Sequence, residues 1–386
     1  MVADSIRTPT EARPSTLDLA LSGGGVRAMA FHAGVLSYLA ENGMLERVRH
    51  VSTVSGGSLL VGLILHTSEM RWPTSSEYLN TVLPIVRMRL TTTNLQSQAL
   101  RQFLHPSCWR FLFSRATVLV RAIERCWDVR ATLADLPQTP IWSINATTAE
   151  TGRRFRFKAS GCGDYRIGYA DARAFPLAQA MAVSAAFPGA IGPLSITTAD
   201  YIWRKRPAWN SPLESARVVT TPFERLRLYD GGLYDNLGLE PLFDAGTHEV
   251  KTPGASIIVS DAGAPLRDGF DMSSINPRRL QRWLDVVTEQ QRALRVRAFT
   301  YSLQQDLPGA YLQIGSCASD KLTSVSHPAA SSGTWLSSDE VAMAAHAPTT
   351  LKGLSEQQFD RLHRHGRETA YWNSLAYPYL PAPVEP

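Results

Sequence analysis

The chain has 386 residues, 44% of them hydrophobic and 19% charged, a balance that supports a large buried core and excludes general disorder. Open α/β architectures run past roughly 200 residues as one domain, so a single large domain carrying insertions is expected. The formal charge is +5 and the bases are overwhelmingly Arg, with lysines only at Lys158, Lys205, Lys251, Lys321 and Lys352; this fits a lipid or nucleic-acid surface, and it fits plain compositional bias equally well.

Residues 1 to 16 mix acids, bases and prolines, read as a disordered leader, and lack the apolar core of a signal peptide. No run approaches the roughly 18 apolar residues of a spanning helix, and position 2 is not the Gly that myristoylation needs. Cys108, Cys126, Cys162 and Cys317 stand far apart, without the spacing of a zinc site. The expected setting is the cytoplasm, with free thiols and at most peripheral membrane contact.

From residue 17 to 386 one domain is expected. Leu17 to Leu21 form a short apolar strand that ends in Ser22-Gly23-Gly24-Gly25, and Met29, Ala33, Leu36 and Ala40 then follow helical steps until Gly43. The design repeats: His50 to Val54 is a β-branched strand and Ser58 to His66 an apolar helix, separated by Ser55-Gly56-Gly57. Two such units argue for a parallel sheet with helices on its faces and functional groups at the C-terminal ends of its strands. Residues 70 to 135 read as an inserted helical cap. A strand pair turns near Thr151-Gly152, and Phe175 to Phe187 resembles a buried helix. Tyr201 to Ser215 reads as an irregular loop. Arg225 to Tyr229 is a strand ending at Asp230-Gly231-Gly232, and Ala255 to Ser260 another ending at Asp261-Ala262-Gly263. Helices are expected over 277 to 300 and 355 to 373, with an irregular connector over 316 to 350.

Three segments carry chemistry. Ser55 sits where a strand meets a helix through glycines, a turn that pushes a nucleophile's side chain outward; Gly56 and Gly57 permit close approach, and the helix N-terminus favours negative charge. Alone, Ser-Gly-Gly is also an ordinary turn. Gly23, Gly24 and Gly25, followed by Val26 and Arg27, offer a run of backbone N–H groups that suits an oxyanion or a phosphate. A P-loop fails for want of Gly-Lys-Ser/Thr, and a dinucleotide site lacks its ribose-binding acid, since the second strand ends in Ser55. Asp230, before Gly231 and Gly232, can be a turn-capping residue or, partly buried, a base for a serine.

Together LALSGGGVRAMAFHAGVL, HVSTVSGGSLL, VSAAFPGAIGPL and LYDGGLYDNLGLEPL resemble, in order and approximate spacing, the four blocks of the patatin-like phospholipase family. The resemblance implies an α/β three-layer α/β/α sandwich of patatin type, with a mostly parallel sheet and a helical cap. It also implies a two-residue Ser55–Asp230 dyad, with Ser55 carrying the acyl group, Asp230 activating first Ser55 and then water, and the amides of Gly24, Gly25 and Val26 holding the oxyanion near Arg27. Thr53 departs from the pattern by standing where the elbow's first glycine would be, so its side chain bears on how helix packs on strand. A triad completed by His363 or His365 is weighed less, because both lie in a charged helix and only one strand precedes the elbow.

Between Arg87 and Arg125 lie further arginines, Arg89, Arg101, Arg110, Arg115 and Arg121, interleaved with Phe103, Trp109, Phe111 and Phe113. The segment suits an anionic membrane or simply a solvated helical cap; no motif accompanies it that would suit nucleic acid. The expected activity is hydrolysis of a phospholipid, lysophospholipid or related acyl ester without metal or cofactor. Acyl transfer on the same dyad and a non-catalytic lipid-binding regulator are the alternatives.

Overall fold

The computed structural model describes residues 16–101, 115–188, 191–208, 211–266, 268–270, 278–331 and 335–377. The expected leader, all but Thr16, lies outside them, as do Cys108 and the expected surface residues Phe103, Trp109, Arg110, Phe111 and Phe113.

Strand β1 (Thr16–Leu21) shows why the molecule has three layers. Leu17, Leu19 and Leu21 belong to the main apolar cluster, while Ala20 belongs to a second one with Leu237, Phe243 and Phe299. Alternate side chains of one strand thus enter two cores, so both faces of the sheet are covered. The buried Asp18 pairs with Arg49 at 2.7 Å.

The glycine loop leads into α1 (Gly25–Glu41), which is buried around its whole circumference from Gly25 to Ala40. It stops at Gly43, whose φ of 63° suits a residue without Cβ. Then follow β2 (Val48–Thr53), α2 (Gly56–Thr67), the cap helices α3 (Leu83–Thr92), α4 (Leu95–Arg101) and α5 (Arg115–Trp127), and the strands β3 (Ile141–Thr148) and β4 (Arg153–Lys158). Next come α6 (Leu177–Ser184), β5 (Leu194–Thr197), β6 (Arg225–Asp230), β7 (Ala255–Asp261), α7 (Arg278–Gln304), β8 (Gly309–Gln313) and α8 (Glu356–Ala376). Helices α1, α2, α6 and α8 pack in the main core, and α7 in the other. Backbones of α1 and α8 meet where each carries a glycine: a Cβ on Gly34 would strike the His363 carbonyl, and one on Gly366 that of Phe31.

The order β8-β7-β1-β2-β3 is parallel throughout, and β4 with four short strands extends the sheet antiparallel. Strand β6 brings two distant segments together. It pairs antiparallel with β3 over Ala146 to Thr148, whereas β2 pairs parallel with β3 over Ile141 to Ile144. The two strands therefore run toward each other along β3, and their C-terminal ends meet at Asn145.

The expected strand-loop-helix units, parallel sheet and terminal helix are present. The segment expected to be an irregular connector contains helices Ala318–Ser324 and Ser338–Ala345; the second starts from a capping box in which Ser337 and Glu340 bond each other's backbone, a local signal that outweighs the small-residue composition. The loop after Tyr201 holds the short strand Trp203–Lys205.

Candidate active site

Val54 of the elbow is tied to β1 by an N–H···O bond to Leu21, and Ser55 then turns with φ 50° and ψ −116°. A left-handed non-glycine residue costs on the order of 1–3 kcal/mol and persists only where its surroundings fix it. Here the Ser55 amide donates to both the carbonyl and the hydroxyl of Ser184, at 3.1 and 3.0 Å. The single proton of each hydroxyl sets the direction of the rest of the network. Ser184 gives its one hydroxyl proton to the Asn145 carbonyl (2.7 Å), so Ser58 donates to Ser184 (2.8 Å) and Thr53 to Ser58 (2.7 Å). Trp142 donates to Thr53 at 2.9 Å. Thr53, the departure from the elbow pattern, is thus accommodated: it is fully buried and its hydroxyl anchors this chain.

The elbow packs backbone to backbone on the glycine loop. A Cβ on Gly56 would strike the Gly25 carbonyl, and one on Gly57 would lie 2.5 Å from the Leu21 carbonyl oxygen. The loop itself turns through φ 145° at Gly24 and 61° at Gly25. Not every amide of the run is free to bind a ligand. Gly23 donates to the Asn236 carbonyl and Val26 to that of Thr350, each at 3.0 Å, so Val26 is occupied. Gly24 and Gly25 make no such bond among the described residues. They lie at the start of α1, where the helix field favours negative charge.

Arg27 lies beneath the loop, 1% exposed, donating to the Ala262 carbonyl through Nε and Nη2 and to the Ala347 carbonyl through Nη1 at 2.6 Å. Burial lowers its pKa to about 10 against the raising effect of Asp261, so it remains a cation at neutral pH. Its fork braces two loops, and the residue also lines the same cavity as Ser55.

Asp230 ends β6 with 4% of its surface exposed. Its own amide donates to the Ala186 carbonyl (3.0 Å), its carbonyl accepts from Thr147 (2.9 Å), and Gly232 N–H donates to Oδ1 (2.7 Å). Burial pushes its carboxyl up to about 7, opposed by the hydrogen bonds from Gly232 and from the Ser55 side chain. Gly231 is needed for closeness, since a Cβ there would lie 2.6 Å from the Asn145 carbonyl oxygen.

Ser55, Asp230 and the loop from Gly23 to Gly25 line one cavity of about 1110 Å³. The cap supplies an apolar wall from α4 and α5, including Leu95, Ala99 and Leu119, and Phe187 and Ile191 continue it. Across the cavity α7 contributes Arg282, Asp285, Glu289 and Arg292. Arg292 is neutralised by Asp261 and by Glu289 at 2.6 Å.

His363 bonds Ser37 on α1, and His365 accepts from the Gly315 amide; burial lowers each to about 4, so both are neutral packing residues away from Asp230. The histidine lining the cavity among the described residues is His346, whereas the Asp230 carboxylate is engaged by Ser55 and Gly232. No cluster that could hold a metal ion occurs among the described residues. In the cap, Arg87 pairs with Glu356 and Asp360 on α8, and Arg89 donates to the Cys126 carbonyl, so these two serve the protein's own packing. Ser184, Asn145 and Asn236 also hold the site together and stand outside the glycine-flanked segments that mark Ser55 and Asp230. A polar Asn inside the apolar run IWSINATT was the available signal for one of them.

Sheet order, glycine loop and serine turn together define an α/β/α protein of patatin type. The chain belongs to the patatin-like phospholipase family, whose model matches residues 19–243, more than half of its length. Among solved structures, human GIVD cytosolic phospholipase A2 is 14% identical, with a TM-score of 0.52 over 96% of this chain. The present chain spans only 62% of that protein's length, and at this identity the likeness is one of fold. VipD from Legionella pneumophila is 14% identical over 67% of this chain and 52% of its own, with a TM-score of 0.35. No curated protein matches.

Proposed function

We propose that the protein is a serine lipid acyl hydrolase that cleaves carboxylic esters of phospholipids or related acyl lipids through a Ser55 acyl-enzyme. The observation that carries this reading is the pairing of a strained, outward-turned Ser55 with a buried Asp230 whose carboxyl is pushed up to about 7, in an apolar-walled cavity beside free glycine amides. A carboxylate with that affinity for protons is matched to a general base at neutral pH.

Ser55 Oγ attacks the acyl carbonyl while its proton passes to Asp230. The amides of Gly24 and Gly25, with the positive end of α1, stabilise the oxyanion. Collapse breaks the ester bond, and Asp230 returns the proton to the leaving alcohol. Water then attacks the acyl-Ser55 carbonyl, Asp230 takes its proton, and expulsion of Ser55 Oγ, reprotonated from Asp230, releases the fatty acid. In this reading Val26 is left out of the oxyanion site, and Arg27 acts by bracing the loop.

Purified protein is expected to release fatty acid from phospholipid dispersions, and Ser55→Ala to abolish the release while keeping the fold by circular dichroism. Undiminished cleavage by Ser55→Ala would overturn the assignment.

A further inference from the structure

Helix α7 presents two unlike faces. Toward the cavity it turns Arg282, Asp285, Thr288, Glu289 and Arg292. On another side stand Trp283, Val287 and Leu294, exposed by 58, 54 and 60%. Their steps of four and seven residues align them along one stripe of a helix with about 3.6 residues per turn. Single exposed apolar residues are ordinary, but an aligned row ending in a Trp marks a surface that is covered in use. Among the described residues none of the three belongs to an apolar cluster.

Two features identify what covers it. The row lies on the back of the helix whose other side walls the cavity of Ser55, and Leu100 of α4 both lines that cavity and is 60% exposed. The charge next to the row is basic. Arg279 and Arg297 fall on the same side of the helix, whereas its two acids, Asp285 and Glu289, turn to the cavity. Tryptophan, aliphatic side chains and flanking arginines are the composition of a helix lying at an anionic lipid surface.

We propose that the outward face of α7 docks on an anionic bilayer and so holds the cavity of Ser55 close to the lipid surface. The proposal rests on the lipid-hydrolase reading of the site.

Binding is measured in the Ser55→Ala background, which separates it from turnover, by cosedimentation with vesicles of phosphatidylcholine and phosphatidylglycerol. Adding Trp283→Ser, Val287→Ser and Leu294→Ser is expected to lower partitioning on the order of tenfold or more. In the active background the triple variant keeps its turnover of a soluble short-chain ester and loses hydrolysis of vesicle lipid. Val287→Ser alone, expected to weaken partitioning severalfold, covers the case in which the triple variant fails to fold. Unchanged partitioning of the variants overturns the proposal. So does a wild-type dimer, seen by sedimentation velocity, that the substitutions dissociate while vesicle binding persists, because the row is then covered by a second copy. Vesicle binding without cleavage of any ester by the wild type would instead refute the hydrolase reading and leave the docking result standing.

Discussion

Burial gives Asp230 the proton affinity that a carboxylate in water lacks. Raised from 3.8 to about 7, it must be ionised to accept the Ser55 proton, so kcat/KM is expected to rise with pH through a limb near 7 and to level off above it. Asp230→Asn should lose at least about a thousandfold in kcat/KM at pH 8 and lose the limb with it. The same shift fixes the sign of a stability effect. Between pH 4 and 7 the unfolded chain has released the Asp230 proton while the folded protein keeps it, so stability falls as pH rises through that window. Asp230→Asn removes that dependence, and thermal melts at pH 8 should show it on the order of a few degrees more stable than the wild type. Both residues were legible as candidates because each ends a strand against glycines. Their partners were not: Ser184 and Asn145 act through bonds to segments far away in sequence.

Between elements, the site depends on how closely α2 approaches the glycine loop. Gly56→Ala sets a methyl against the Gly25 carbonyl and should cost about 1–3 kcal/mol of stability. It should also cost roughly a hundredfold in kcat, because the nucleophile and the oxyanion amides move apart. Ser184→Ala leaves the Ser58 hydroxyl without its acceptor and the Asn145 carbonyl without its donor, at about 1–3 kcal/mol, read by urea unfolding. The strand-loop-helix units were readable from local signals, namely an apolar run, then glycines, then helical periodicity. The convergence of β2 and β6 along β3 was not, because strand pairing across more than eighty residues leaves no local mark in a single chain. Thr53 shows the opposite limit: a residue that breaks the elbow pattern is built into the network beneath Ser55.

At the scale of the whole molecule, sheet and cap divide the labour. The C-terminal ends of the strands hold Ser55, Asp230 and the glycine loop, and α4 and α5 build an apolar wall over them. Ala99 lines that wall, so Ala99→Phe should narrow the space for a long acyl chain. Expected is a loss of about tenfold or more in kcat/KM for long-chain esters, with butyrate esters nearly unaffected; equal losses on both would place the acyl chain elsewhere. No helix among the described residues is long and apolar enough to cross a membrane. The central claim, that Ser55 forms the acyl-enzyme with Asp230 as its base, is tested most directly by fluorophosphonate labelling read by peptide mass spectrometry. The account predicts one adduct, on Ser55, formed much more slowly in Asp230→Asn. An adduct on another residue, or labelling of Ser55 at full rate without the Asp230 carboxylate, would contradict it.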